Sequence, residues 1–164
     1  MKTIFNKTAL KKAANKSALL FNYSGNTVIF WNKAGTICIK CNKLLFETEI
    51  LNNIPVTQVD SLPTCIPETF KAFEDSNVLS ETFLTIELQD ISARIYQNYK
   101  HKYLTIINIE LLKILNNIAD FTPYQTKENR ATLFKTDFIE CIIMPMWNKG
   151  IAEKLTLLSE ELKK

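Results

Sequence analysis

Glycine and histidine are both scarce in this chain of 164 residues, which has three glycines and one histidine. Gly25, Gly35 and Gly150 are too far apart to form a GxGxxG loop, a Walker-type phosphate loop or the turn of a nucleophile elbow. His101 has no second histidine with which to share a metal ion or a catalytic proton, and we interpret it as a surface or strand-end residue. The sequence therefore predicts a protein that is not an enzyme and has no cofactor.

Long apolar runs are also missing. No stretch reaches the roughly 20 residues that a helix needs to cross a bilayer. A signal peptide requires an uninterrupted apolar core, but the N-terminal region is interrupted by Lys2, Lys7, Lys11 and Lys12. We therefore expect a cytoplasmic protein without membrane contact, and the length suits one domain, or at most two small ones.

Cysteine occurs four times, which requires no disulfide in a chain of this size. Cys38 and Cys41 have the CxxC spacing of a zinc ligand pair, and Cys65 and Cys141 could complete the four ligands. Residues 38 and 41 of a strand point to opposite faces, however, which is wrong for chelation. We expect buried apolar thiols and no metal site.

Acidic residues are absent from residues 1–46, which contain eight lysines. Residues 47–90 then carry nine carboxylates against Lys71 alone. This asymmetry is a hint that the basic part binds a polyanion. The alternative is that the basic and acidic parts neutralise each other, within one subunit or between subunits.

Turn residues and apolar periodicity predict a succession of short elements. Asn6 can cap a helix over residues 7–17, and further helices are expected over residues 67–75, beginning at Pro67, and over residues 109–118 after Asn108. The predicted strands are Lys2–Phe5, Leu19–Tyr23, Thr27–Asn32, Thr36–Cys41, Leu44–Ile50, Phe83–Leu88, Ile91–Tyr96 and residues 103–108. Two hairpins are predicted, one of Phe83–Leu88 with Ile91–Tyr96 and one of residues 130–136 with 138–144. Thr27–Asn32 is expected to be buried on both faces, and Leu44–Ile50 to be half exposed.

The end of the chain has an amphipathic helical pattern. Ile151, Leu155, Leu158 and Leu162 follow the spacing i, i+4, i+7, i+11, with Glu and Lys elsewhere. We therefore divide the chain into an α+β domain, residues 1–148, and a C-terminal amphipathic helix, residues 149–164. The helix docks either on its own domain or on a partner, which includes a second copy of the chain.

Two segments 102 residues apart share an order of elements. Asn6–Lys11 aligns with Asn108–Lys113, and Asn, Leu and Lys coincide at equivalent positions. Each segment follows a short strand and precedes a hairpin, which indicates a repeated strand–helix–strand–strand–strand unit. Ile66–Tyr96 is a candidate for a third, degenerate copy.

Two strings of residues resemble the DNA sliding clamp family, in particular the bacterial polymerase processivity clamp. Ile107–Lys113 is similar to the last helix of the clamp, and Leu133-Phe134 with Ile142–Met146 is similar to its closing strand. The resemblance covers about 45 residues in detail and the rest by the order of elements. It implies an α+β fold in which repeated units pack their helices on antiparallel sheet.

The resemblance also implies two sites. Clamp helices face the encircled duplex, which would place Lys7, Lys11, Lys12, Lys16 and Lys113 (the lysine set) toward phosphate. The closing strand of a clamp lines a pocket for partner peptides, which implicates Met144, Pro145 and Met146. Two departures matter: this chain is much shorter than a clamp subunit, so a ring would need several copies, and Trp147-Asn148 and the extra helix follow the closing strand and could cover the pocket.

The function expected from these observations is that of a non-enzymatic, self-associating, clamp-like protein of replication or phage origin that contacts duplex DNA. The alternative is a protein-binding module, such as a decoy or inhibitor of a replication or host protein, that uses the same fold without DNA. Its interface would be the terminal helix or the acidic segment 47–90. An enzyme whose site the sequence does not reveal is a third class.

Overall fold

The computed structural model describes residues 2–88, 91–98, 100, 103–126 and 131–146, and residues 153, 156, 157, 160 and 161 near the end of the chain. In chain order the elements are α1 (Lys7–Ala14), β1 (Leu19–Ser24), β2 (Thr27–Trp31), β3 (Ile37–Asn42), α2 (Lys43–Phe46), a π-helical segment (Glu47–Leu51), β4 (Val56–Gln58), α3 (Cys65–Ala72), a 3-10 turn (Phe73–Asp75), β5 (Asn77–Val78), β6 (Ser80–Leu88), β7 (Ile91–Asn98), β8 (Tyr103–Asn108), α4 (Ile109–Leu112), a 3-10 turn (Ile118–Asp120), β9 (Thr122–Gln125), β10 (Thr132–Lys135) and β11 (Glu140–Ile143).

The described strands form two sheets, so the predicted α+β class is confirmed. The larger sheet has the order β4-β1-β2-β3-β11-β10-β9-β5, and the smaller has the order β6-β7-β8. All described neighbours are antiparallel except β1 and β4, which are parallel. The expectation of a purely antiparallel sheet was therefore wrong at this edge. The helical segment between β3 and β4 carries the chain across one face, and such a crossover lets β4 run parallel to β1.

The eight-stranded sheet is covered on both faces. On one face Phe30 and Ile39 pack with Leu10 of α1 and Phe46 of α2. On the other face Trp31 packs with Ile66 of α3. Residues 28–31 of β2 are all buried, which confirms the prediction for this strand. In the smaller sheet, neighbouring residues of one strand contribute to different apolar clusters, so this sheet too is buried on both faces.

Leu44–Ile50 was predicted as a strand, and this prediction was wrong because the segment is helical. Asn42 begins the helix by accepting a hydrogen bond from the Leu44 amide at 2.7 Å. Phe46 and Ile50, four residues apart, both point into the core and are fully buried. The apolar alternation seen in the sequence is equally compatible with this helical spacing, so it did not discriminate between the two structures.

The helix predicted over residues 109–118 was too long, because α4 ends at Leu112. Beyond it the backbone makes only short-range turns, such as the Leu115 amide donating to the Leu112 carbonyl at 3.4 Å, and also bonds to the start of the chain. The Asn6 amide donates to the Ile114 carbonyl at 2.9 Å, and the Asn116 amide donates to the Ile4 carbonyl at 2.9 Å. The apolar residues of this stretch are still buried, but they lie in an irregular segment.

The other predicted elements differ mainly at their ends. The first helix stops at Ala14, because Asn15 and Lys16 adopt positive φ angles of 51° and 62°. The strand predicted at Lys2–Phe5 is reduced to a single bridge between Phe5 and Leu115. The helix predicted at 67–75 begins two residues earlier, at Cys65. Its sequence also predicted burial of Phe70 and Phe73; Phe73 is buried, but Phe70 is only half-buried.

Both predicted hairpins are present. β6 pairs with β7, with Leu88 opposite Ile91, and β10 pairs with β11. The four apolar positions of the predicted terminal helix and His101 lie outside the described residues, so those interpretations remain predictions.

A buried carboxylate attaches the start of the chain to the sheet. Glu49, in the π-helical segment, accepts hydrogen bonds on Oε1 from the amides of Ile4 and Phe5, both at 2.9 Å. The side-chain amide of Asn116 donates to the Thr3 carbonyl at 2.8 Å from the other side. Residues 3–6 are therefore held between two distant parts of the chain, and α1 starts from this fixed position.

We predict that Glu49→Ala lowers the free energy of unfolding by about 2–4 kcal/mol, because two buried amides lose a charged acceptor. Glu49→Gln retains one acceptor oxygen and is expected to lose less. Urea unfolding followed by circular dichroism measures both. The matched control is Glu47→Ala on the same helical segment, whose partly exposed ion pair with Lys43 at 3.9 Å is worth at most about 1 kcal/mol. Equal losses for Glu49→Ala and Glu47→Ala would contradict the anchoring role.

Candidate functional site

Helices α1 and α4 begin in the same way. Asn6 accepts a hydrogen bond from the Ala9 amide at 3.1 Å, and Asn108 accepts one from the Glu110 amide at 2.9 Å. Both asparagines follow extended residues and satisfy an amide that the first helical turn leaves without a partner. The two short helices contact each other, because the bridge at Phe5 aligns the segments around them.

Glu110 connects lysines of the two helices. Its carboxylate lies 3.6 Å from Nζ of Lys12 in α1 and 2.9 Å from Nζ of Lys113 just after α4. The hydrogen bond from Lys113, with the positive charges of Lys113 and Lys12, holds the pKa of Glu110 below its usual value. The structure therefore brings together two members of the lysine set that are about 100 residues apart in sequence.

The rest of the lysine set lies along α1 and just beyond it. Lys11 and Lys16 are exposed, and Lys7 is partly buried. The first turn of α1 carries no acidic residue. The pairing through Glu110 could not be read from the sequence, because it depends on the contact between α1 and α4.

Among the predicted pocket residues Met144, Pro145 and Met146, the two methionines have different contacts. The Met144 amide donates to the Thr36 carbonyl at 2.9 Å, whereas the Met146 amide donates to the Ile106 carbonyl at 3.2 Å. Met146 packs on the apolar cluster of the three-stranded sheet. Met144, by contrast, is 42 % exposed and lies beside a cavity on the other side of Pro145.

This cavity, which we name the Trp31 cavity, has a volume of about 300 Å³ and lies between α3 and the strands β2, β3 and β11. Trp31, Ile66 and Ile142 contribute an apolar lining, and Lys33 lies at its border. Trp31 itself is buried, in keeping with the prediction that Thr27–Asn32 is covered on both faces. The cavity was not predicted, because it depends on where α3 crosses the sheet.

The chain matches no protein-family profile, no curated protein and no solved structure. None of the described helices is both long enough and apolar enough to span a membrane.

The basic and acidic parts of the chain do not neutralise each other among the described residues. One ion pair, Lys43 with Glu47, joins residues 1–46 to residues 47–90. The other described ion pairs link lysines or Arg94 to Glu81, Glu110 and Glu140. Among the described residues, the basic and acidic parts of one subunit are therefore not paired with each other beyond this single contact.

The cysteines differ in environment. Cys38 packs beside Trp31 on one face of the sheet, while Cys41 is buried in the core on the opposite face, as the strand geometry predicted. Burial, with a smaller effect of nearby Cys65, raises the pKa of Cys38 to about 12, and burial raises that of Cys41 to about 12 as well. Burial also raises the pKa of Cys141. The expectation that all four thiols are buried is therefore met by Cys41 and Cys141 only, because Cys38 is half-buried and Cys65 is exposed.

We predict that one thiol reacts rapidly with iodoacetamide in the native protein at pH 8. A thiol with a pKa near 12 is thiolate in only about one part in ten thousand at that pH, and buried sulfur atoms are inaccessible to the reagent. Mass spectrometry should locate the fast modification at Cys65. Cys65→Ser should abolish the fast phase, and a fast phase of two or more thiols would contradict the assigned burial.

Proposed function

We propose that this chain is a non-enzymatic, sliding-clamp-like protein that associates with itself and contacts the backbone of duplex DNA through the lysine set. The observation that carries the proposal is the convergence of Lys12 and Lys113 on Glu110, because it makes one basic surface from two helices that the clamp resemblance treats as equivalent. Lysine neutralises phosphate without reading base edges, so the contact would be independent of sequence.

The strand order supports the equivalence of the two ends of the chain. β1, β2 and β3 are followed across the sheet by β11, β10 and β9, so the order is mirrored about the antiparallel pair of β3 with β11. Each half consists of an extended segment, an Asn-capped helix and three antiparallel strands. The halves differ in helix length, since α1 has eight residues and α4 has four. We infer that they are diverged copies of one unit.

The proposal includes self-association, because one chain of this size would not surround a duplex. Several copies arranged around one duplex would each direct α1 and α4 toward it. Their lysines would then contact successive phosphates of the backbone. The expected role is in replication, in a cellular or phage context.

A protein-binding module is the second candidate, and the Trp31 cavity is the observation that favours it. An apolar cavity with a few polar groups at its border is typical of a site for a ligand or a side chain. Exposed Met144 beside it supplies an adaptable apolar contact. In this function the chain would be a decoy or inhibitor of a replication or host protein, without DNA affinity.

We predict that charge reversal of two members of the lysine set weakens DNA binding and lowers its salt dependence. Lys11→Glu with Lys16→Glu should lower the slope of log K against log salt by about 2, because each phosphate contact contributes about 0.9. Fluorescence anisotropy with a labelled duplex at several salt concentrations measures this slope. The matched control is Lys71→Glu with Lys135→Glu, which reverses two lysines elsewhere in the described part of the chain. DNA affinity that responds equally to both pairs would overturn the proposed surface.

The carboxylate between the helices gives a second prediction, of opposite sign. Glu110→Gln removes the negative charge that competes with phosphate for Lys12 and Lys113. We expect a several-fold gain in duplex affinity at low salt and a steeper salt dependence. Glu140→Gln is the control. It frees Lys40 of β3 and Lys135 of β10 in the same way, but these lysines lie outside the lysine set, so duplex affinity should be unchanged. An unchanged affinity for Glu110→Gln would argue against DNA at this surface.

A further inference from the structure

Phe83 has the most exposed side chain among the large apolar residues of the described structure, at 87 %. It lies in β6, the outer strand of the three-stranded sheet, where the pairing with β7 shifts register between Glu81 and Thr85. Its φ angle is +60°, a region that bulky residues rarely adopt. A bulge of this kind redirects a side chain away from the sheet. The neighbouring Leu84 is also exposed.

The Trp31 cavity is a receptacle of suitable size and polarity for such a side chain. Its volume is about 300 Å³, and an apolar cavity of about 150 Å³ is enough to hold a benzene molecule. Lining by Trp31, Ile66 and Ile142 offers apolar contact to an aromatic ring. A phenyl group that moved from water into this cavity would bury most of its surface, which is how an anchor residue stabilises an interface.

Charge complements shape at the two surfaces. Glu87 and Lys33 are both exposed; Glu87 lies in β6 four residues beyond Phe83, and Lys33 lines the cavity. Glu81, on the other side of Phe83, is already paired with Arg94 at 3.1 Å within the same chain. The opposite charges of Glu87 and Lys33 therefore favour contact between the surface around Phe83 and the cavity.

We propose that Phe83 of one copy inserts into the Trp31 cavity of a second copy. The contact is heterologous, since the projecting residue and the cavity belong to different parts of the chain, and each copy keeps one free partner surface. This inference deepens the self-association in the proposed function and names its interface. It does not depend on the lysine set.

The decisive experiment mixes two complementary variants, without DNA, and measures mass by size exclusion with light scattering at about 100 μM. Phe83→Asp removes the projecting ring but keeps the cavity. Wild-type protein alkylated at exposed Cys65, which lines the cavity, keeps the ring but has a blocked cavity. Each alone should be monomeric, with association weakened by about thirtyfold or more. Their mixture should form a one-to-one dimer, because one intact pair of surfaces remains.

Phe138→Asp is the matched control, because Phe138 is 79 % exposed but lies between β10 and β11. It should associate like the wild type. A monomeric wild type, a mixture that stays monomeric, or a Phe83→Asp variant that associates normally would each overturn the inference. Thermal melting by circular dichroism confirms that every sample is folded. Loss of DNA binding in the lysine variants reports on the proposed function separately, because these mixtures contain no DNA.

Discussion

The buried carboxylate of Glu49 is the interaction on which the arrangement of the other elements depends. It accepts two amides from the start of the chain, and Asn116 completes the attachment from the opposite side. These bonds fix where α1 begins, and the bridge between Phe5 and Leu115 places α1 against α4. The convergence of Lys12 and Lys113 on Glu110 therefore depends on how the N-terminal segment is held. The two hydrogen bonds from backbone amides also offset the free-energy cost of burying the Glu49 carboxylate.

The sequence was sufficient to predict the elements that depend on nearby residues alone. Asn6 and Asn108 were recognised as helix caps, the buried strand β2 was found from its continuous apolar run, and both predicted hairpins are present. The errors occurred where distant parts of the chain compete for the backbone. Residues 114–116 bond to the N-terminal segment and so cannot extend α4. Segment 44–50 is helical because Phe46 and Ile50 fit the core as a pair, a fact that alternation alone could not reveal.

The candidate sites were predictable to different degrees. The lysines of α1 were visible as a charge asymmetry, and Lys113 was implied by the clamp resemblance. The bridging position of Glu110 required the contact between helices. The clamp resemblance implied a pocket at Met144–Met146; Met144 lines the Trp31 cavity, and Met146 packs on the apolar cluster of the three-stranded sheet. The exposure of Phe83 could not be predicted from the sequence, because residues 81–85 contain no glycine or other residue that marks the position of a β-bulge.

The central sheet separates the two surfaces in space. α1 packs on one of its faces and α3, which borders the Trp31 cavity, packs on the other. If both proposals hold, a ligand bound by the lysine set would leave the cavity open on the far side, so both sites could be filled at the same time. The molecule would then act as a bivalent adaptor, because a partner bound at the cavity would have a raised effective concentration near the ligand of the lysine set.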